Sequence, residues 1–121
     1  MTELANPAPG PLRVSCLCAQ WCDTCNAYAP LFRSLRASFA QVRFDWIDIE
    51  DEAELVDPLE VDNFPSILIS RDEQALFFGT VTPHLETLRR LIQAHLDGAG
   101  SPTADPQAQA LAVRLAQFSA D

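Results

Sequence analysis

Four cysteines, Cys16, Cys18, Cys22 and Cys25, fall within ten residues, where a short apolar run hands over to a helical pattern. A small secreted domain spreads its cysteines so that disulfides tie distant segments together. This chain carries none outside the cluster. Such crowding points to redox or metal chemistry, with Cys16 and Cys18 also readable as small buried hydrophobes.

At 121 residues there is room for one compact domain and a short appendage. Hydrophobic residues make up 48% and charged residues 21%, which is enough apolar material for a core and argues against disorder throughout. The net charge of −9 argues against a nucleic-acid binder, which needs a basic face for phosphates. All eight basic residues are arginines, which excludes lysine nucleophiles and fits a GC-rich bacterial genome. No apolar run is long enough to span a bilayer, and the first residues lack a basic start and apolar segment. A cytoplasmic protein with no membrane association is the expectation.

Residues 1–11 hold three prolines and a glycine and read as an irregular lead-in. Leu12 to Ala19 reads as a strand buried on both faces. From Thr24 to Phe39, Tyr28, Leu31, Phe32, Leu35 and Phe39 recur at helical spacing, with Pro30 expected to kink the helix near Asn26. Val42 to Ile49 is a second strand, followed by an acidic turn and short helix stopped near Pro58. Ser66 to Ser70 and Gln74 to Phe78 form two further strands, joined by a turn at Asp72-Glu73 and closed by Gly79. Thr82-Pro83 reads as a cap and first residue of a helix that runs to Leu96 and stops at Gly98. Residues 12–97 thus form one α/β domain. Residues 98–121 read as a linker and an amphipathic helix opened by Asp105-Pro106.

Trp21-Cys22-Asp23-Thr24-Cys25 sits at the strand-to-helix transition. A helix start presents unpaired N–H groups and partial positive charge, which favour a thiolate. Cys22 is then the exposed nucleophile. Cys25, one turn on, attacks the mixed disulfide and releases the reduced partner.

These residues and three further landmarks resemble the thioredoxin family. Ala29-Pro30 after the cysteines is similar to that family's active-site helix with its internal proline. Val61-Asp62-Asn63-Phe64-Pro65-Ser66 resembles its cis-proline loop, and Phe77-Phe78-Gly79 its closing strand and glycine. The likeness runs from about Arg13 to Leu96. It implies a three-layer fold, a central four-stranded mixed sheet flanked by helices, without the family's first strand and helix. It implies that Pro65 and the Phe64 backbone pair with an extended substrate, with Trp21 as an apolar wall beside Cys22. Protein disulfides are the expected substrates. Electrons would come from a reductase or another dithiol, with no cofactor and no metal.

Departures from the family pattern bear on redox tuning. Asp23-Thr24 stands where thioredoxins usually have Gly-Pro. Asp23 sets a carboxylate beside the nucleophile, which opposes thiolate formation and favours a reductant or a slow exchanger over a strong oxidant, whereas Thr24 offers a hydroxyl to a sulfur. Cys16 occupies the position of the family's buried aspartate. Trp46, or Asp45 after a one-residue slip, stands where the family has lysine, leaving Asp45 or water to handle the proton of Cys25. If the first strand is missing, Val42–Ile49 becomes a sheet edge. The terminal helix or a second copy of the chain is the expected cover, which makes a homodimer through that edge a candidate.

Three other readings compete. Four cysteines are potential soft ligands, but their spacing lacks the two separated knuckles of a zinc ribbon. The nine carboxylates from Asp45 to Asp62 show no EF-hand spacing and read as a solvated face, and His84 and His95 as surface or packing residues. The second functional class is a non-catalytic thioredoxin-like adaptor or chaperone module, against which the intact Cys22/Cys25 pair speaks.

Overall fold

The apolar run Leu12–Cys18 forms a strand, β1, buried along its whole length. It can be so because it lies inside the sheet with helices on both faces. The computed structural model describes residues 11–57, 65–82, 84–98 and 102–117. After β1 come α1 (Asp23–Ser38), β2 (Arg43–Asp48), α2 (Ala53–Val56), β3 (Ser66–Arg71), β4 (Gln74–Thr80), α3 (Leu85–Leu96) and α4 (Pro106–Leu115). The four strands form one sheet in the order β2-β1-β3-β4, with β1 parallel to β2 and the other pairs antiparallel. This is the four-stranded mixed sheet expected from the sequence, flanked by helices in three layers.

Alternation along β1 sorts its side chains between the layers. Val14, Cys16 and Cys18 join Tyr28, Phe32 and Leu35 of α1 and Leu88 and Ile92 of α3 in one core. Leu17 faces the other way, into a second core with Val56 of α2 and Ala108, Leu111, Ala112 and Leu115 of α4. The terminal helix therefore covers a face of the sheet. Its start follows the sequence: the Asp105 side chain accepts the N–H groups of Gln107 and Ala108, and Pro106 needs no partner for a missing donor.

Other local expectations met different fates. Pro30 lies inside α1 without ending it, on an exposed position. Gly98 ends α3 with φ 101°, a conformation that suits glycine. The hairpin between β3 and β4 puts Asp72 in the left-handed region at φ 56°, which aspartate tolerates. Thr82 is not the cap of α3. The helix opens two residues later with His84 as its N-cap, because the His84 N–H is taken by the Thr82 carbonyl at 2.7 Å. His95 is buried, bonds Leu91 O through Nδ1 at 2.9 Å and stands edge-on to Phe77, as a packing residue would. The stop near Pro58 lies outside the described residues.

Candidate functional site: a sulfur cluster at the start of α1

A tight turn sets the geometry of the cluster. The Cys22 N–H donates to the Ala19 carbonyl at 3.0 Å, and the Asn26 N–H donates to the Cys22 carbonyl at 3.1 Å to open α1. Asn26 Nδ2 also donates to the Gln20 carbonyl at 3.1 Å, holding the turn against the helix. Cys22 is thus the N-cap residue, with extended backbone and half-buried side chain, and remains a free thiol. Trp21 beside it is 64% exposed. Asp23 and Thr24 point to solvent in the first turn of α1, where an acidic side chain complements the helix dipole.

Cys25, on the inward face of the same turn, has no exposure and is bonded to Cys18 at the end of β1, with the two Cα atoms 5.8 Å apart. Cys25 thus bonds with a cysteine seven residues before it, across the strand-to-helix turn. The sequence marks Cys18 only as a buried hydrophobe or secondary redox thiol; nothing in its spacing names Cys25 as its partner. Cys16 Sγ lies 3.8 Å from Cys18 Sγ, two residues back on the same face of β1.

The residues around these sulfurs answer the question of proton handling. The register pairs Cys16 with Trp46, and Trp46 packs on Phe32 with ring centroids 5.7 Å apart, on the sulfur side of the sheet. Asp45 is turned to the opposite face. There its Oδ2 lies 3.3 Å from Arg13 Nε and accepts the Ser15 hydroxyl at 3.2 Å. Asp45 therefore does not serve Cys25. The sulfur side is apolar, and burial drives the Cys16 thiol well above its ordinary range. The Tyr28 hydroxyl is likewise raised, by burial first and by neighbouring Cys16 second, and finds no hydrogen-bond partner among the described residues.

These buried protons make stability depend on alkali. An unfolded thiol releases its proton near pH 9, while the folded chain keeps that of Cys16. The Cys16 contribution is complete below that pH and is lost as pH rises, because the unfolded state then binds fewer protons. Stability should fall by about 1.4 kcal/mol per pH unit above 9 from Cys16 alone, with Tyr28 adding to the slope above 10. Urea titrations between pH 8 and 11 check this, and Cys16→Ala should flatten the slope.

Pro65, ahead of β3, is buried, and its carbonyl accepts the Val81 N–H at 3.2 Å. The β1–β3 register ends at Leu17 opposite Ser66, so Pro65 lies just past the last paired residue, at the end of the sheet where β1 finishes with Cys18. Phe64 lies outside the described residues.

Comparison with known proteins agrees with this geometry. Residues 11–94 match the family model described as Thioredoxin. The chain is 32% identical over 98 residues to Thioredoxin Asp f 29 of Aspergillus fumigatus, covering 78% of this chain and 86% of that one. It is 27% identical over 99 residues to thioredoxin domain-containing protein 8 of Rattus norvegicus, covering 82% of this chain and 73% of that one. Among solved structures, thioredoxin from Fasciola hepatica superposes with a TM-score of 0.65 at 26% identity, over 71% of this chain and 82% of that one. A matching family model over most of the chain, the mixed sheet and a disulfide at the start of α1 all agree: the chain belongs to the thioredoxin family and is a thiol–disulfide oxidoreductase.

Proposed function

We propose that the protein reduces or exchanges protein disulfides, with Cys22 as the attacking thiol and Cys25 as the resolving thiol. The observation that carries this reading is the position of Cys22: the N-cap of α1, half-exposed, unbonded, and one turn before a cysteine already engaged in a disulfide. The unpaired N–H groups of a helix start stabilise a thiolate there. Attack by Cys22 on a substrate disulfide forms a mixed disulfide and expels the first substrate thiol. Attack by Cys25 on Cys22 then forms the internal bond and frees the second substrate thiol.

The neighbouring residues take supporting roles. Trp21 offers an exposed apolar wall to the substrate, and Pro65 and Phe64 align its extended backbone for main-chain pairing. Asp23 and Thr24 tune the reactivity of Cys22. Electrons return from a reductase or a second dithiol. A cytoplasmic location goes with this reading, since clustered thiols depend on a reducing pool. Insulin reduction with dithiothreitol tests the proposal. Wild type should catalyse precipitation and Cys22→Ser should lose nearly all of that rate; equal rates would remove Cys22 from the mechanism.

A second copy paired along β2 is the further reading of this edge. Among the described residues no strand lies beyond β2. Antiparallel pairing centred between Asp45 and Trp46 sets Arg43 opposite Asp48 of the partner subunit, an attractive cross-strand pair. Light scattering at high micromolar concentration should give twice the monomer mass; a monomer mass rejects the pairing.

A further inference from the structure

We propose that Cys25 trades disulfide partners between Cys22 and Cys18, so that the oxidised pair formed at the surface is withdrawn into the core and can be returned. The inference rests on the reading of Cys22 as the attacking thiol, and it assigns Cys18 a place in the cycle. Three observations carry it. Cys25 is bonded to Cys18, at the end of β1. Cys22 stands free and half-exposed one turn before Cys25, a spacing at which side chains on a helix are neighbours. All three pack in or against one apolar cluster, so no polar layer separates the two possible partners of Cys25.

The exchange needs no oxidant. The Cys22 thiolate attacks Sγ of Cys25, the Cys25–Cys18 bond breaks, and Cys18 leaves as a thiolate. A disulfide and a thiolate are present before and after, and the proton lost by Cys22 is taken up by Cys18. In the reverse direction Cys18 attacks Cys25 and releases Cys22. Cys16 is set beside the inner leaving group: at 3.8 Å its S–H can be donated to the Cys18 sulfur as charge develops there. Burial keeps Cys16 protonated and so available as a donor.

The two oxidised forms differ in what they show to a partner. With Cys22–Cys25 bonded, the half-exposed sulfur of Cys22 is open to a reductant. With Cys18–Cys25 bonded, both bonded residues are buried, with 1% and 0% exposure, and Cys22 is the partly exposed cysteine of the three. Access to the stored disulfide then runs through Cys22, which makes Cys22 the gate for reduction as well as for attack.

Peptide mapping tests the exchange on the full chain. Trypsin cuts at arginine only in this sequence, so Val14–Arg33 carries all four cysteines and is silent on pairing. Chymotryptic cleavage after Trp21 parts Cys16 and Cys18 from Cys22 and Cys25. A Cys18–Cys25 bond then joins two fragments, whereas a Cys22–Cys25 bond stays within one. Oxidised wild type, acid-quenched and blocked with N-ethylmaleimide, should contain both, in a ratio between about 1:10 and 10:1 that is independent of the starting form. Cys22→Ser, at a half-exposed position, should retain the two-fragment species, and Cys18→Ser should retain only the one-fragment species. Wild type holding either bond alone, or Cys22→Ser with no internal disulfide, overturns the exchange. Loss of insulin reduction in Cys22→Ser together with either of those results leaves the catalytic reading standing and removes only the relay. Unchanged insulin reduction in that variant removes both.

Discussion

Cys25→Ser is expected to lower disulfide-reductase turnover on the order of 10³-fold, a loss of the same rank as that of Cys22→Ser. Cys25 is the one sulfur that both bonds share, being held by Cys18 in the structure and standing one turn from Cys22. Without it, Cys22 still attacks a substrate disulfide, but the thiol one helical turn away that would displace the substrate is gone. The variant should accumulate a mixed disulfide with insulin or a model peptide, visible as an added mass that dithiothreitol removes. Stability should fall as well, because the variant loses the bond to Cys18 and buries a hydroxyl among apolar side chains. A variant that turns over normally, or one that captures no substrate, would refute the assignment of Cys25 as resolving thiol.

Arg13→Ala should cost about 3–5 kcal/mol of stability, a large share of the roughly 5–15 kcal/mol expected of a whole domain. Arg13 is buried on the α4 side of β1, where its Nε faces Asp45 Oδ2 at 3.3 Å. Its guanidinium also donates to the Leu115 carbonyl at the end of α4. One side chain thus joins β1, the edge strand β2 and the terminal helix. Burial disfavours charge on both partners, lowering the Arg13 pKa and raising that of Asp45, so each depends on the other for compensation. Removing Arg13 leaves Asp45 buried with the Ser15 hydroxyl and the weaker pull of Arg43 and Arg36. Calorimetry should show a fall in Tm of about 10–20 °C. The double variant Arg13→Met/Asp45→Leu should recover most of it, since a buried ion pair replaced by apolar side chains is often neutral. A loss under about 1 kcal/mol in the single variant would show that the pair is dispensable.

Much of this was legible in the residues. The apolar run at Leu12–Cys18, the helical spacing of Tyr28, Phe32 and Leu35, and the Asp105-Pro106 start each became the element they imply. These signals are local: side-chain period, cap chemistry and turn chemistry act over a few residues. Where two local signals competed, the stronger one was not always evident. Thr82-Pro83 has the form of a helix start, but a bond within the turn, from His84 N–H to the Thr82 carbonyl, delays α3 to Leu85.

The pairing of sulfurs and the fate of Asp45 were out of reach for a different reason. Linear spacing nominates Cys22 for Cys25, because residues three apart are neighbours on a helix. That Cys18 also reaches Cys25 depends on how β1 lies against α1. Asp45 and Trp46 are adjacent candidates for one position. Only the β1–β2 register, with Cys16 opposite Trp46 and Ser15 opposite Asp45, decides which of them faces the sulfurs. A slip of one residue would send each side chain to the other face.

By itself, then, the sequence determined the elements, the cluster of four thiols at a helix start and the chemistry such a cluster can do. The tertiary structure decided which sulfur holds Cys25, which face receives Asp45 and which layer α4 completes. The division follows from range: periodicity and caps are properties of neighbours in the chain, whereas a disulfide partner, a buried ion pair and a covered sheet face depend on segments that only packing brings together.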